Sequence, residues 1–256
     1  MGRLVIKVGS NVLTRDDGTL DVTRVSSLVD QIVRLRGSGY EVILVSSGAV
    51  ACGRSILGVE EGLDSVEQRQ VYSAVGQVRL MDLYNTLFGN YGIHVGQVLT
   101  MKENFTPGKE YSNQKGCMEA MLRSGVIPIV NENDTVSITE LMFTDNDELS
   151  GLIATMMEAG SLIILSNVDG LYDGDPADPS SKVIRKILPG EDIDGYIQES
   201  RSKAGRGGMQ SKSRIARSVA AAGIRVFLAC GKTDGILPAL VNAPETVICT
   251  EFAPSK

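Results

Sequence analysis

The chain has 256 residues, of which 43% are apolar and 22% charged, and these values exclude a fibre or a disordered chain. Its 25 basic and 31 acidic side chains give a net charge of −6, whereas a nucleic-acid-binding protein typically carries excess positive charge. No apolar run reaches the roughly 18 residues of a membrane span, and the N-terminus leads into a strand-like run instead of a signal peptide. We therefore expect a cytoplasmic protein that binds neither membrane nor nucleic acid.

Histidine and cysteine are scarce and scattered. The four cysteines include no C-x-x-C pair, which favours reduced, buried thiols over disulfides or a zinc site. His94 is the single histidine, so no protein-held metal site is predicted. A serine hydrolase is disfavoured because there is no G-x-S-x-G elbow and His94 is the one possible base. Since His94 lies inside an apolar run, we expect it to be buried and hydrogen-bonded.

Short apolar runs rich in Val and Ile recur along the chain and are typical of strands buried on both faces. Segments with helical spacing lie between several of them. This alternation predicts right-handed crossovers and an α/β fold, a three-layer α-β-α sandwich around a mostly parallel central sheet. The predicted strands are residues 4–8, 42–45, 93–99, 126–130, 162–165, 224–228 and 247–249, and the helical segments include 22–35, 149–157 and 215–222.

Charge is unevenly distributed along the sequence. Residues 124–181 contain eleven acidic side chains and no Lys or Arg, whereas residues 182–217 contain nine basic and four acidic ones. Ordinary surface variation is one interpretation. The other is a cleft with a basic wall for phosphates and an acidic wall for an amino group or Mg²⁺.

Polar residues that follow the predicted strands are candidates for a site, because ligands of open parallel sheets bind beyond the carboxyl ends of strands. A lysine and a glycine turn after the first strand suit a phosphate, although a surface lysine before an ordinary turn is the alternative. A serine and two small residues after the second strand can cap a helix and admit an anion to its N-terminus. These candidates are Lys7, Gly9, Ser10, Ser47, Gly48 and Ala49.

Two polar clusters fall within the acidic segment. Residues 131–134 follow a predicted strand, and residues 145–148 precede a predicted helix. Such side chains can hold an ammonium group or orient lysines, whereas turn and capping chemistry is the alternative. We interpret Asp145 as a helix cap and assign functional roles to Asp134, Asn146 and Asp147.

Two later segments suit a nucleotide. Residues 166–172 form a turn-rich stretch that could border a flat heterocycle, and residues 205–212 place glycines before a helix that carries a lysine. The second segment is not a Walker A motif, because Ser211 stands where glycine must precede the lysine. It is not G-x-G-x-x-G either, because Gln210 replaces the last glycine.

Together these segments resemble the amino acid kinase family, and within it the kinases of free L-glutamate. The matching segments keep their order over nearly the whole chain: residues 5–10, 45–50, 74–77, 91–97, 130–134, 145–150, 169–172 and 207–212. The resemblance implies ATP-dependent phosphorylation of the glutamate side-chain carboxylate, giving L-glutamyl 5-phosphate and ADP, the first step of proline biosynthesis. It also implies one kinase domain, with residues 1–150 approximately as its glutamate-binding half and residues 151–256 as its ATP-binding half.

The resemblance implies roles for individual residues. Lys7 and Lys212 would lie along the phosphates, and Asp147 would complete the catalytic group by holding both lysines without acting as a base. Mg²⁺ would arrive on ATP. Residues implied to bind the nucleotide are Lys7, Gly9, Ser10, Ser166, Asn167, Arg206, Gly207, Gly208, Met209, Gln210, Ser211 and Lys212. Those implied to bind glutamate are Ser47, Gly48, Ala49, Asn146 and Asp134, the last as partner of the ammonium group.

The sequence departs from the usual pattern at Asn167, where many relatives carry Asp, and at Arg206, where Thr is common. The PUA domain that many of these kinases append is not expected, and with it no RNA-linked role. A homo-oligomer is expected, and proline is the feedback inhibitor usual in such kinases. The alternatives are a kinase of N-acetylglutamate, aspartate, carbamate or UMP, and an inactive amino acid sensor on the same fold.

Overall fold

The computed structural model describes residues 2–58, 62–137, 143, 145–176, 178–193, 195 and 208–255. The strands are β1 (Arg3–Val8), β2 (Glu41–Ser46), β3 (Val95–Thr100), β4 (Ile127–Glu132), β5 (Ser161–Ser166), β6 (Lys186–Ile187), β7 (Arg225–Cys230) and β8 (Cys249–Phe252). The helices are α1 (Ser10–Leu13), α2 (Val22–Gly37), α3 (Ala49–Leu57), α4 (Ser65–Gly89), α5 (Lys109–Arg123), α6 (Asn146–Met156), α7 (Met209–Ala221) and α8 (Ile236–Asn242). None of the helices in these ranges combines the length and apolar character needed to span a bilayer.

The strands form one sheet in the order β3-β4-β2-β1-β5-β7-β8-β6. Neighbouring strands run parallel throughout, except that β7 and β8 are antiparallel. The predicted mostly parallel sheet is confirmed, and each of the seven apolar runs overlaps a strand. The two-residue strand β6 has no apolar run of its own and was not predicted.

Helices cover both faces of the sheet, which confirms the three-layer sandwich. The side chains of β1 alternate between two cores, with Ile6 in one and Val5 in the other. The first core adds apolar residues of α2, α4 and α8, and the second adds those of α5, α6 and α7. Continuous apolar strands are buried because both faces of the sheet are covered.

The edge strand β3 corrects two expectations. The run at residues 93–99 was predicted to be buried on both faces, but Gln97 and Leu99 are exposed because β3 has a neighbour on one side only. His94 precedes this strand and is exposed, so the prediction of a buried histidine was wrong. The buried-thiol prediction holds for Cys52 and Cys249, whereas Cys117 is exposed and Cys230 is partly so.

Helices α3 and α4 pack at backbone contact, and glycine makes that contact possible. A Cβ atom at Gly76 of α4 would lie 1.8 Å from the carbonyl oxygen of Ala49, the first residue of α3. Gly48, just before α3, has a φ of 102°, a conformation that glycine adopts without strain. These two glycines fix the N-terminus of α3 at the carboxyl edge of the sheet.

We expect Gly76→Ala to lower the free energy of unfolding by at least about 2 kcal/mol, because the added methyl group would force the two helices apart. Urea unfolding followed by circular dichroism measures this loss. Gly89→Ala is the matched control, since a Cβ atom there meets nothing within 4 Å. Equal stability of the two variants would contradict the backbone contact.

Candidate active site

A cleft of about 1160 Å³ opens at the carboxyl edge of the sheet, where β1, β2, β4 and β5 end. The structure brings most of the predicted site residues to it: Lys7, Gly9, Ser10, Ser47, Gly48, Ala49, Asp134, Asn146, Asp147, Ser166, Asn167 and Lys212 all line the cleft. Gly208 precedes α7, and Met209, Gln210 and Ser211 begin that helix. Arg206 and Gly207 lie outside the described residues.

One buried carboxylate joins two lysines that are 205 positions apart in the chain. Lys7 Nζ on β1 lies 2.6 Å from Asp147 Oδ1, and Lys212 Nζ on α7 lies 3.0 Å from Asp147 Oδ2. Asp147 belongs to the first turn of α6 and is 1% exposed. The convergence of both ammonium groups on this side chain, predicted from the family resemblance, is present in the structure.

The electrostatics of Asp147 favour its ionised form. Burial alone would raise the pKa of this carboxyl, but the ammonium groups of Lys7 and Lys212 more than offset burial and hold its pKa below the ordinary value. The carboxylate therefore stays charged at neutral pH. An Asp147 that is ionised at neutral pH can hold two cations in place.

Asp145 ties the start of α6 to the start of α7. Its Oδ1 accepts the backbone N–H groups of Asp147 and Glu148, each at 2.9 Å, and this confirms the predicted helix cap. Its Oδ2 accepts a hydrogen bond of 2.6 Å from Ser211 Oγ. Since Ser211 immediately precedes Lys212, one side chain sets the positions of both Asp147 and its lysine partner.

The turn after β1 is tied to strand β5. The backbone N–H of Gly9, a residue that the resemblance places at the nucleotide, donates to the carbonyl oxygen of Leu165 at 3.2 Å. A Cβ atom at Gly9 would lie 3.4 Å from Lys7 Nζ, so the missing side chain leaves room beside the ammonium group. Ser10 follows as the first residue of α1.

A chain of side-chain amides crosses the floor of the cleft. Asn131 Oδ1 accepts the backbone N–H of Glu132 at 2.9 Å, and its Nδ2 donates to Gln77 Oε1 at 3.0 Å. Asn146 Nδ2 donates to Asn131 Oδ1 at 3.0 Å and to Ser47 Oγ at 2.8 Å. A backbone N–H can only donate, so it fixes the amide orientation of Asn131 and therefore that of Asn146. Both donors of Asn146 are used, and its Oδ1 remains the group that can accept from a ligand.

Arg69 on α4 is a site residue that the sequence analysis missed. Its Nε lies 2.7 Å from Asp134 Oδ1, and its Nη2 lies 2.9 Å from Glu132 Oε2. The predicted ammonium partner Asp134 is therefore paired with a guanidinium group in this structure. One signal could have indicated such a residue: the acidic segment has no Lys or Arg of its own, so buried carboxylates there require a cation from elsewhere in the chain.

Ser166 and Asn167 lie where β5 ends and border the cleft opposite Ser47 in the sheet order. Ser166 Oγ accepts the backbone N–H of Val168 at 3.1 Å, and its carbonyl oxygen accepts the N–H of Gly231 at 2.8 Å. These bonds shape the turn that presents Asn167 to the cleft. Among the described residues, no group of three or more His, Cys, Asp and Glu side chains could hold a metal ion.

A mostly parallel sheet with a ligand cleft at its carboxyl edge, where two lysines meet one carboxylate, is the arrangement of an α/β ligand-binding protein with a charged site. Residues 2–230 match the model of the amino acid kinase family, and the chain belongs to that family. The resemblance stated from the sequence is thereby confirmed.

Two curated relatives that are similar to this chain over most of its length are both glutamate 5-kinases. Glutamate 5-kinase of Bacteroides thetaiotaomicron is 61% identical over 253 residues, which are 99% of this chain and 70% of that protein. Glutamate 5-kinase of Chlorobaculum tepidum is 48% identical over 241 residues, 94% of this chain and 66% of that protein. The chain thus spans about two thirds of the length of these relatives.

Solved structures share the fold at low sequence identity. Carbamate kinase from Giardia lamblia bound to AMP-PNP is 18% identical with a TM-score of 0.68, and the match covers 99% of each chain. UMP kinase from Bacillus anthracis is 18% identical with a TM-score of 0.69, and the match covers 100% of this chain and 97% of that one. At this identity the similarity concerns the fold alone.

Proposed function

We propose that this protein catalyses ATP-dependent phosphorylation of the side-chain carboxylate of L-glutamate, giving L-glutamyl 5-phosphate and ADP, the first step of proline biosynthesis. The observation that carries the proposal is the pair of ammonium groups, Lys7 and Lys212, held on buried Asp147 within the cleft. Family membership and the 61% identity to a glutamate 5-kinase support the choice of reaction and acceptor.

The chemistry needs alignment and charge neutralisation more than proton transfer. A glutamate side-chain oxygen forms a bond to the γ-phosphorus of ATP while the bond from that phosphorus to the bridging oxygen breaks, and ADP takes the electron pair. A carboxylate nucleophile carries no proton at neutral pH, so no general base is required. Lys7 and Lys212 neutralise charge on the transferred group, and Asp147 keeps both ammonium groups aimed at it.

Glutamate recognition falls to the β2 and β4 side of the cleft. Asn146 Oδ1, whose orientation the amide chain fixes, accepts from the ammonium group of the substrate, and Ser47 lies beside it. Asp134 supplies the negative charge that a charge-assisted hydrogen bond to this ammonium requires. Gly48 caps α3 and Ala49 is its first residue, and both are small, so a carboxylate can approach the backbone there.

The nucleotide occupies the other half of the cleft in this proposal. The stretch Gly208–Lys212 opens α7 beside the lysine pair, and Ser166 and Asn167 border the same half. This division assigns residues 1–150 approximately to glutamate and residues 151–256 to ATP within one kinase domain. Mg²⁺ enters as the complex with ATP, held mainly by phosphate oxygens and water.

Three further properties complete the proposal, and family resemblance is their support. The protein acts in the cytoplasm, assembles as a homo-oligomer and is inhibited by proline. Sedimentation analysis tests the oligomer, and turnover assays with and without proline test the inhibition. An assembly that sediments as a monomer, or turnover that proline leaves unchanged, would remove the corresponding property without touching the reaction.

An acceptor screen tests the reaction itself. ADP release from MgATP is coupled to NADH oxidation, with L-glutamate, N-acetylglutamate, aspartate, carbamate and UMP offered in turn. Turnover with glutamate well above the others is the expected result, because Asp134 has no ammonium to meet in N-acetylglutamate. Turnover confined to a different acceptor would overturn the substrate assignment and keep the kinase assignment.

We expect Asp134→Ala to raise the KM for glutamate by about 10- to 100-fold, the loss typical of a hydrogen bond to a charged group, with kcat within about threefold of the parent. Steady-state kinetics at saturating MgATP measure both constants. Asp82→Ala, at an exposed carboxylate of the same protein that pairs with Arg79, is the control. A loss confined to kcat would contradict the binding role.

A further inference from the structure

Arg69 occupies an unusual position for a cation. Its side chain is 20% exposed, lines the cleft, and lies against two carboxylates that are nearly buried, Glu132 at 5% and Asp134 at 7% exposure. Among the residues that the structure describes, the other two arginines that line the cleft, Arg15 and Arg54, are exposed. A partly desolvated charge interacts more strongly with a ligand than an exposed one does.

The two carboxylates differ in what holds them. Glu132 Oε1 accepts the backbone N–H of Phe143 at 3.1 Å, while its Oε2 accepts from Arg69 Nη2. Glu132 is thus anchored on both oxygens and in turn anchors the guanidinium group. The contacts of Arg69 use Nε and Nη2, and among the described residues its Nη1 has no hydrogen-bond or ion-pair partner. The guanidinium is held along one edge and can donate along the other.

Arg69 and Asp134 together present adjacent charges of opposite sign. A free α-amino acid carries the complementary arrangement, since its ammonium and its carboxylate are attached to one carbon atom. Asp134 suits the ammonium, and the planar guanidinium suits the carboxylate in a bidentate geometry. Two further cations that line the cleft, Lys7 and Lys212, are held on Asp147.

We propose that Arg69 is the specificity-determining residue that binds the α-carboxylate of the substrate, while Glu132 holds its guanidinium in position. This inference rests on the proposed function, because it concerns how glutamate is selected within the same site. The side-chain carboxylate is thereby left as the one directed at the phosphoryl group. The pairing explains how the enzyme distinguishes the two carboxylates of one substrate.

The test compares three acceptors with each enzyme variant. L-glutamate has all three charged groups, L-isoglutamine replaces the α-carboxylate by an amide, and glutarate lacks the ammonium. For the parent we expect kcat/KM with isoglutamine to be about 100-fold below that with glutamate, the loss of one charge-assisted hydrogen-bond pair. For Arg69→Gln we expect the two values to lie within about threefold, while the preference for glutamate over glutarate persists.

Two variants accompany Arg69→Gln. Arg69→Lys keeps the positive charge but loses the bidentate donor geometry of the guanidinium group, and it should retain part of the discrimination against isoglutamine. It also serves as the test protein if Arg69→Gln does not fold. Arg79→Gln, the same substitution at an exposed arginine of the same helix, should leave every ratio unchanged.

The possible failures point to different causes. Retention of the 100-fold ratio in Arg69→Gln would overturn the α-carboxylate assignment. A collapse of the glutamate-to-glutarate ratio alone would overturn it as well, since Arg69 would then act only by positioning Asp134. Failure of the parent to phosphorylate glutamate would instead defeat the proposed function on which the inference rests, and the parent assay reveals this before any variant is measured.

Discussion

Lys212→Ala is expected to lower kcat about 1000-fold while the KM for glutamate changes little. The lysine contacts charge that grows on the phosphoryl group during transfer, and removal of one such preorganised donor costs roughly 10²- to 10³-fold in comparable sites. An interaction made mainly in the transition state appears in kcat and not in substrate binding. Steady-state kinetics with saturating MgATP measure the change.

The fold should survive this substitution. Asp147 keeps Lys7 as a partner at 2.6 Å, so no buried charge is left alone. Lys115→Ala is the matched control, because Lys115 pairs with the exposed Glu158 at the surface and such pairs contribute little. Near-normal kcat in Lys212→Ala with an intact circular dichroism spectrum would show that the lysine has no role in phosphoryl transfer.

The sequence sufficed to predict the sheet because its strands are local patterns. Seven continuous apolar runs marked strands, most of them buried by helices on both faces, and the rule that ligands bind at strand ends located the cleft. Helix α4 is harder to place, because apolar residues such as Val71 and Val78 are exposed while Leu80 is buried, so its apolar residues do not form one clear stripe. The exposed state of His94 also escaped prediction, since an edge position depends on strand order and not on the run itself.

For the candidate site too, local sequence patterns predicted some features, whereas others depend on contacts between distant parts of the chain. Lys7, Asp147 and Lys212 are far apart in the chain, and only the resemblance to a family predicted that they lie together in one site. Arg69 could not be assigned from its neighbours in sequence, because its partners Glu132 and Asp134 lie more than 60 positions away. The hydrogen bond from the Gly9 amide to Leu165 is not revealed by any local pattern either, because the two residues are far apart in the chain.

Asp147→Asn is expected to reduce kcat at least about 100-fold and to lower the free energy of unfolding by about 3–5 kcal/mol at neutral pH. The substitution leaves two nearly buried ammonium groups without their shared counter-charge, and breaking a buried ion pair on one side typically has a cost of this size. Urea unfolding and steady-state kinetics measure the two effects. Asp82→Asn, at an exposed surface pair, is the control.

The pH dependence of this stability loss separates charge from packing. The folded state holds the pKa of Asp147 below its ordinary value, so the carboxylate contributes stability above the unfolded-state pKa and loses it as the pH falls through the lower folded-state pKa. The difference between parent and Asp147→Asn should therefore be full at pH 7 and shrink in strongly acidic solution. A difference that stays constant with pH would indicate lost packing instead of lost charge.

Binding of MgATP tests whether the two lysines contact the triphosphate, because its phosphates can supply the negative charge that Asp147→Asn removes. We expect MgATP to raise the melting temperature of this variant by more than it raises that of the parent, since the ligand relieves the repulsion between Lys7 and Lys212. Catalysis should remain low even when ATP is saturating, because the two ammonium groups are no longer oriented by a fixed carboxylate. An equal thermal shift in both proteins would show that the lysines do not meet the triphosphate.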